Sequence, residues 1–154
     1  MRNAGVSLPQ QAFALRSVYP DGTVRLGPSS LLWRGRLKPS GLAEQYLTEV
    51  SLQMSHQPVV NVIEPVLKPD GQGRLPHIWE DGSLCLNTAG QWTTNMLLVD
   101  TVVPWAAEWL FHYEIWLGAG VWFGDGALAE RPEAQAQLLH PLNEMHNVQG
   151  RATH

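Results

Sequence analysis

Polar and apolar positions alternate most regularly in Glu44-Gln45-Tyr46-Leu47-Thr48-Glu49-Val50-Ser51-Leu52. Tyr46, Thr48, Val50 and Leu52 fall on one side and Leu47, Glu49 and Ser51 on the other, the period-two pattern of a half-buried strand. Leu31–Leu37 alternates less cleanly, and Pro58–Ile63 is a β-branched run. With Lys38-Pro39-Ser40-Gly41 as a turn, these three segments predict an antiparallel meander. Ahead of them, Ser7-Leu8-Pro9-Gln10 has the form of a capping box. It predicts a short helix from Leu8 to about Ser17, with Phe13 on its buried side and Tyr19-Pro20-Asp21-Gly22 ending it.

The pattern changes to a helical one near residue 101. Asp100 or Thr101 can cap, Pro104 is tolerated in the first turn, and Gly118 is well placed as a stop. Between about Thr101 and Leu117, Trp105, Trp109, His112 and Trp116 line one side, and Ala106, Leu110, Tyr113 and Leu117 the adjoining one. With Phe111 and Ile115 also apolar, such a helix is buried on several sides or covered by another protein, and burial against the sheet is the expectation. Residues 64–74 and 118–126 read as loops, rich in Pro, Gly or both. Pro132–His146 predicts a modest helix broken by Pro141, and residues 147–154 a disordered tail. The expectation is therefore one α/β (α+β) domain over residues 1–146.

Composition narrows this only slightly. At 154 residues the chain is long enough for one real core. A net charge of −4 offers no basic footprint for nucleic acid. The apolar runs are interrupted by Glu108, His112 and Glu114, so no membrane span is expected, and no secretory signal is visible. A single cysteine argues against a disulfide-stabilised fold and for a cytoplasmic setting.

That cysteine, Cys85, is where chemistry gathers. It follows Asp81-Gly82, a strong tight-turn signal, and His77 precedes it by eight positions on the other arm of the turn. A chain folded back here brings an imidazole toward a thiol, an arrangement used by nucleophilic cysteines. A lone cysteine is nonetheless most often a small buried hydrophobe. Zinc-deaminase and His-Glu-x-x-His patterns are absent, so no metal and no cofactor is expected. Papain-type and caspase-type signatures are missing, while a cysteine acyl hydrolase stays open as a class. His112 on the apolar helix reads as a core or edge histidine rather than a base.

Pro76-His77-Ile78, then Asp81-Gly82-Ser83-Leu84-Cys85-Leu86-Asn87, then Gln91-Trp92-Thr93 resembles the active-site segment of ubiquitin-conjugating (E2) enzymes. In that family a His-Pro-Asn triplet precedes the cysteine, and here His77 stands at the Asn position. The order Pro104-Trp105-Ala106-Ala107-Glu108-Trp109-Leu110 and Tyr113-Glu114-Ile115-Trp116-Leu117 is similar to the stand-alone bacterial E2-like proteins of CBASS antiphage operons. The resemblance covers about Leu31 to Gly126. It implies a UBC-like fold, with Trp33 matching the Trp on the first strand of the E2 meander. It also implies a thioester formed through Cys85 with the C-terminus of a partner protein, a CD-NTase-type nucleotidyltransferase, and its transfer to an amine. His77 would be the donor near the thioester oxygen, and Trp79, Asn87 and Trp92 the substrate-binding residues, with Trp79 and Trp92 walling the cleft. Asn87 occupies a position that is often acidic in the eukaryotic enzymes, leaving Asp81, Asp100 and Glu114 as candidates to assist the amine. Either a separate activating protein would supply the activated carboxylate, or the complex would work without one. A catalytically inactive E2-like binding module is the contrasting expectation.

Overall fold

The Ser7 capping box forms as its sequence dictates. Ser7 Oγ accepts from the Gln10 backbone N–H at 3.2 Å, and Gln10 Oε1 accepts from the Ser7 N–H at 2.9 Å. In the computed structural model, which describes residues 5–41, 43–86 and 92–122, this starts helix α1, Leu8–Val18. Four strands follow: β1 Thr23–Leu26, β2 Ser30–Leu37, β3 Tyr46–Gln53 and β4 Val59–Glu64. A 3-10 turn at Leu98–Asp100 leads into helix α2, Val102–Ala119. The fold is mixed α/β, an antiparallel sheet between an N-terminal and a C-terminal helix, consistent with the UBC-like α+β expectation.

The chain divides into two compact units, Met1–Glu114 and Ile115–His154. The second, within the described residues, holds the end of α2. There Gly120 sits at φ 73° and its N–H donates to Trp116 O at 2.8 Å. The expected helix at 132–146 and tail at 147–154 lie outside the described residues.

In the first unit the sheet runs β1-β2-β3-β4, every pair antiparallel. Register places Val24, Trp33, Val50 and Val60 in one row across all four strands. Trp33, Val50 and Val60 are fully or almost fully buried, each stabilising the fold by roughly 1.5–3 kcal/mol. Gly35 follows Trp33 on the same face, and a Cβ there would overlap the indole ring, so the strand has room for Trp33 only because residue 35 is glycine. Tyr46, Thr48, Val50 and Leu52 are buried as the alternation in β3 predicts. The sequence reading missed β1. Its four residues are mostly exposed, so the burial that makes an alternating pattern stand out is weak there. Turn residues on both sides, Asp21-Gly22 and Gly27-Pro28, were the available signal.

One expectation for α1 is overturned. Phe13 is 74% exposed, and the buried residues are Gln11, Ala12 and Leu15. Gln11 takes a core position that apolar patterning would deny it because both ends of its amide are satisfied. Its Nε2 donates to Met96 O and its Oε1 accepts from Leu98 N–H, both at 2.8 Å. That choice of inward face turns Phe13 toward water. The bonds also fix the segment that feeds α2. Thr101 then stands at the helix start, its carbonyl accepting from Trp105 N–H (2.9 Å) and its hydroxyl donating back to Leu97 O (2.8 Å).

Replacing Gln11 with Ala strands a buried N–H and a buried carbonyl. Chemical denaturation of Gln11→Ala is expected to show a loss of about 1–3 kcal/mol. Phe13→Ala, on the exposed side, is expected to change stability by less than about 0.5 kcal/mol.

Candidate active site

Asp81-Gly82 closes the turn as the sequence suggests, but over three residues rather than two. Trp79 N–H donates to Ser83 O and Gly82 N–H donates to Trp79 O, both at 2.9 Å. Only Gly82 of the Asp-Gly pair is left-handed, at φ 87°. Asp81 braces the turn from its side chain, Oδ1 accepting from Ser83 N–H (2.9 Å) and Ser83 Oγ (2.5 Å). Those two bonds hold the Asp81 carboxyl below the usual carboxylate range. Beyond the turn, Ile78 bridges Leu84, and Cys85 N–H donates to His77 O at 2.9 Å. His77 and Cys85 therefore face each other across the hairpin.

His77 has φ 53°. The left-handed region is costly for most L-residues, and His, Asn and Asp enter it more readily. The position that the E2 resemblance aligns with Asn thus carries another residue that tolerates this backbone. Bending there aims the His77 carbonyl at two donors, Cys85 N–H and the indole Nε1 of Trp109 on α2, the latter at 3.1 Å. On the other arm, Leu84 N–H donates to Val60 O at 2.8 Å, which fastens the hairpin to the edge of β4.

Over residues 84–86 burial alternates on the arm that bears the thiol. Ser83, Leu84 and Leu86 are buried, whereas Cys85 is only partly so. Leu84 and Leu86 line a cleft of about 350 Å³ together with Trp79, Trp92, Val102 and Trp105. Trp79 and Trp92 therefore share one cleft, but Cys85 and His77 do not line it. Trp79 is 52% exposed, and Trp92 is buried, its carbonyl accepting from Gln57 Nε2 at 3.1 Å. Asn87 lies outside the described residues.

Helix α2 supplies the remaining supports. Trp109 and Tyr113 stack with ring centres 5.6 Å apart. Tyr113 Oη accepts from Lys68 N–H at 2.7 Å, holding the loop after β4. Tyr46 Oη donates to Glu114 Oε1 at 2.8 Å, and burial, with this carboxylate second, pushes the Tyr46 phenol far up. His112 is buried, with Nε2 3.8 Å from Glu108 Oε1. Burial holds the imidazole below its ordinary range, Glu108 pulls it upward, and His77 pushes it down.

Two of the carboxylates considered for assisting an amine are thus engaged elsewhere: Asp81 with Ser83, Glu114 with Tyr46. Glu108, which sequence reading passed over, pairs with His112 instead. The available signals were the i, i+4 spacing of Glu108 and His112 and the need of a buried Trp109 N–H for a partner. Among the described residues no cluster of three or more His, Cys, Asp or Glu could hold a metal ion, and no helix is long and apolar enough to cross a membrane.

A family model described as Type II CBASS E2 protein matches residues 11–130. No curated protein matches the chain.

Two outcomes are expected of the hairpin. His77→Val, which forces a β-branched residue into a left-handed backbone, should lose about 1–2 kcal/mol in denaturant melts, and His77→Asn should lose clearly less. The Asp81 carboxyl is depressed on folding, so its contribution is present above the unfolded-state pKa and is lost as pH falls through the lower folded-state value. The stability gap between the wild-type protein and Asp81→Ala should therefore be full near neutrality and close below about pH 4.

Proposed function

Because the chain belongs to the Type II CBASS E2 family, with an E2-like role in CBASS antiphage defence, we propose that Cys85 is its acyl-carrying nucleophile. The observation that carries this reading is the hairpin that pairs the Cys85 backbone with that of His77, with Cys85 only partly buried between two buried leucines.

The reaction is two acyl transfers. The Cys85 thiolate attacks an activated carboxyl at the C-terminus of a partner protein. The C–S bond forms, the activating group leaves, and the thiol proton goes to solvent or a nearby base. An amine then attacks the thioester; the C–N bond forms, the C–S bond breaks and the thiolate is regenerated as the amine loses a proton. In both steps negative charge builds on the carbonyl oxygen. We assign His77 as the donor for that oxygen, since an imidazole has N–H groups to offer a tetrahedral state, an effect worth roughly 3 kcal/mol for one well-placed donor.

The partner we propose is another CBASS protein, the nucleotidyltransferase that makes the cyclic nucleotide signal, acylated through its C-terminus. A separate activating protein supplies the activated carboxylate. We assign Trp79, half exposed at the base of the turn, a contact to the incoming chain. Trp92 is a wall of the neighbouring cleft. We assign Asn87 a contact to substrate on its position two residues after the cysteine.

Purification of the chain co-expressed with its operon neighbours is expected to yield a covalent adduct cleaved by thiol reductants and lost in Cys85→Ala. His77→Ala is expected to slow transfer roughly 10²-fold or more while the circular dichroism spectrum is retained. Absence of any adduct in every combination of neighbours would favour a binding module. Release of free acid from a small thioester, dependent on Cys85, would favour a hydrolase.

A further inference from the structure

The indole N–H groups of Trp33 and Trp92 are buried without a hydrogen-bond partner. Trp109 is just as buried, 4% exposed, yet its Nε1 donates to His77 O at 3.1 Å. Since this core keeps two indoles unsatisfied, burial alone does not account for the bond that Trp109 makes. Nor does the acceptor require it. His77 O already accepts from Cys85 N–H at 2.9 Å, and a carbonyl with one partner is not orphaned.

The effect of the second bond is geometric. His77 sits at φ 53°, a region that an L-residue holds only when its surroundings over-determine it. One donor comes from the hairpin and the other from α2, so residue 77 cannot relax to a commoner backbone region without giving up at least one of them. The direction in which its side chain leaves the hairpin depends on that backbone. Trp109 is itself confined. Its ring stacks on Tyr113, with centres 5.6 Å and planes 11° apart, and Tyr113 meets Tyr46 edge-on at 6.3 Å. The two phenols are anchored in turn, Tyr113 Oη by Lys68 N–H at 2.7 Å and Tyr46 Oη by Glu114 Oε1 at 2.8 Å. All three rings are buried. A side chain so enclosed presents its N–H at one place, which is what positioning another group requires.

We propose that Trp109 is a positioning residue for His77: through the His77 carbonyl it holds residue 77 in its left-handed conformation and so sets the direction of the His77 side chain. This rests on the reading of Cys85 as the nucleophile and His77 as the donor to the thioester oxygen. Trp109 acts through the His77 backbone and is assigned no contact to the reacting atoms. A tryptophan present only for packing would tie the order of the hairpin to global stability alone, and its loss would slow transfer whether or not residue 77 is histidine.

Two measurements on the full chain test this. They use Trp109→Phe and, should that variant not fold, benzothienylalanine in place of Trp109, which keeps the shape of the indole and lacks its N–H. The first is amide hydrogen exchange by NMR, which needs no partner. The Cys85 amide should exchange about fivefold or more faster, the effect of roughly one hydrogen bond, while amides of the central strand β3 follow global stability. The second is the rate of transfer from the Cys85 adduct in the co-expressed complex. Removing the indole N–H should slow transfer about fivefold or more, but by less than about twofold in the His77→Ala background. Protection at Cys85 that changes only in step with β3 would overturn the proposal, as would equal slowing with and without the His77 side chain. Either result with the adduct intact removes this role and leaves the conjugation chemistry standing. With no adduct in any combination, the reading of Cys85 fails and the catalytic part of this role with it, and the exchange data decide whether Trp109 holds the hairpin.

Discussion

One carbonyl oxygen holds the candidate site together. His77 O accepts from Cys85 N–H across the hairpin and from the Trp109 indole on α2. The backbone at His77 must enter the left-handed region for this to happen, a conformation that persists only where surroundings over-determine it. Here the surroundings are a braced turn on one side and a helix on the other. The thiol, the imidazole and α2 are consequently parts of one construction, and displacing any of them disturbs the rest.

The fold serves that construction from both ends. Leu84 pairs with Val60 and so hangs the hairpin on the last strand of the sheet. Gln11 reaches from α1 to residues 96 and 98 and thereby sets where α2 begins. Tyr46 and Tyr113 then tie α2 to β3 and to the loop after β4. These are polar bonds in largely buried places, where a missing partner is expensive. They give the helix a defined axial position that its nearly all-round apolar surface would not select.

The site also separates two tasks. The arm carrying Cys85 buries Leu84 and Leu86 against a cleft walled by Trp79, Trp92 and Trp105, whereas Cys85 is only partly buried and does not line it. For a member of the Type II CBASS E2 family, it means that the proposed nucleophile stands outside the apolar cleft that its two neighbours line. Glu108 on the helix lies 3.8 Å from the His112 ring, whereas Oδ1 of Asp81 in the turn is occupied by Ser83.

Much was legible in the residues alone. The capping box at Ser7, the alternation through β3, the stop after α1 and the turn at Gly82 are local effects, set by side chains within a few positions of one another. The ordered motifs around Cys85 and along α2 sufficed for the family. What sequence could not supply were choices made by distant partners. Phe13 faces water because Gln11 found bonds 85 and 87 residues away. β1 exists because β2 pairs with it, its own residues carrying little burial signal. Trp109 meets the His77 carbonyl because α2 packs against a hairpin some thirty residues earlier in the chain. Local patterning fixes periods and turns, since those depend on neighbouring bonds; which face turns inward, and which groups then meet, depends on contacts that exist only once the chain has folded.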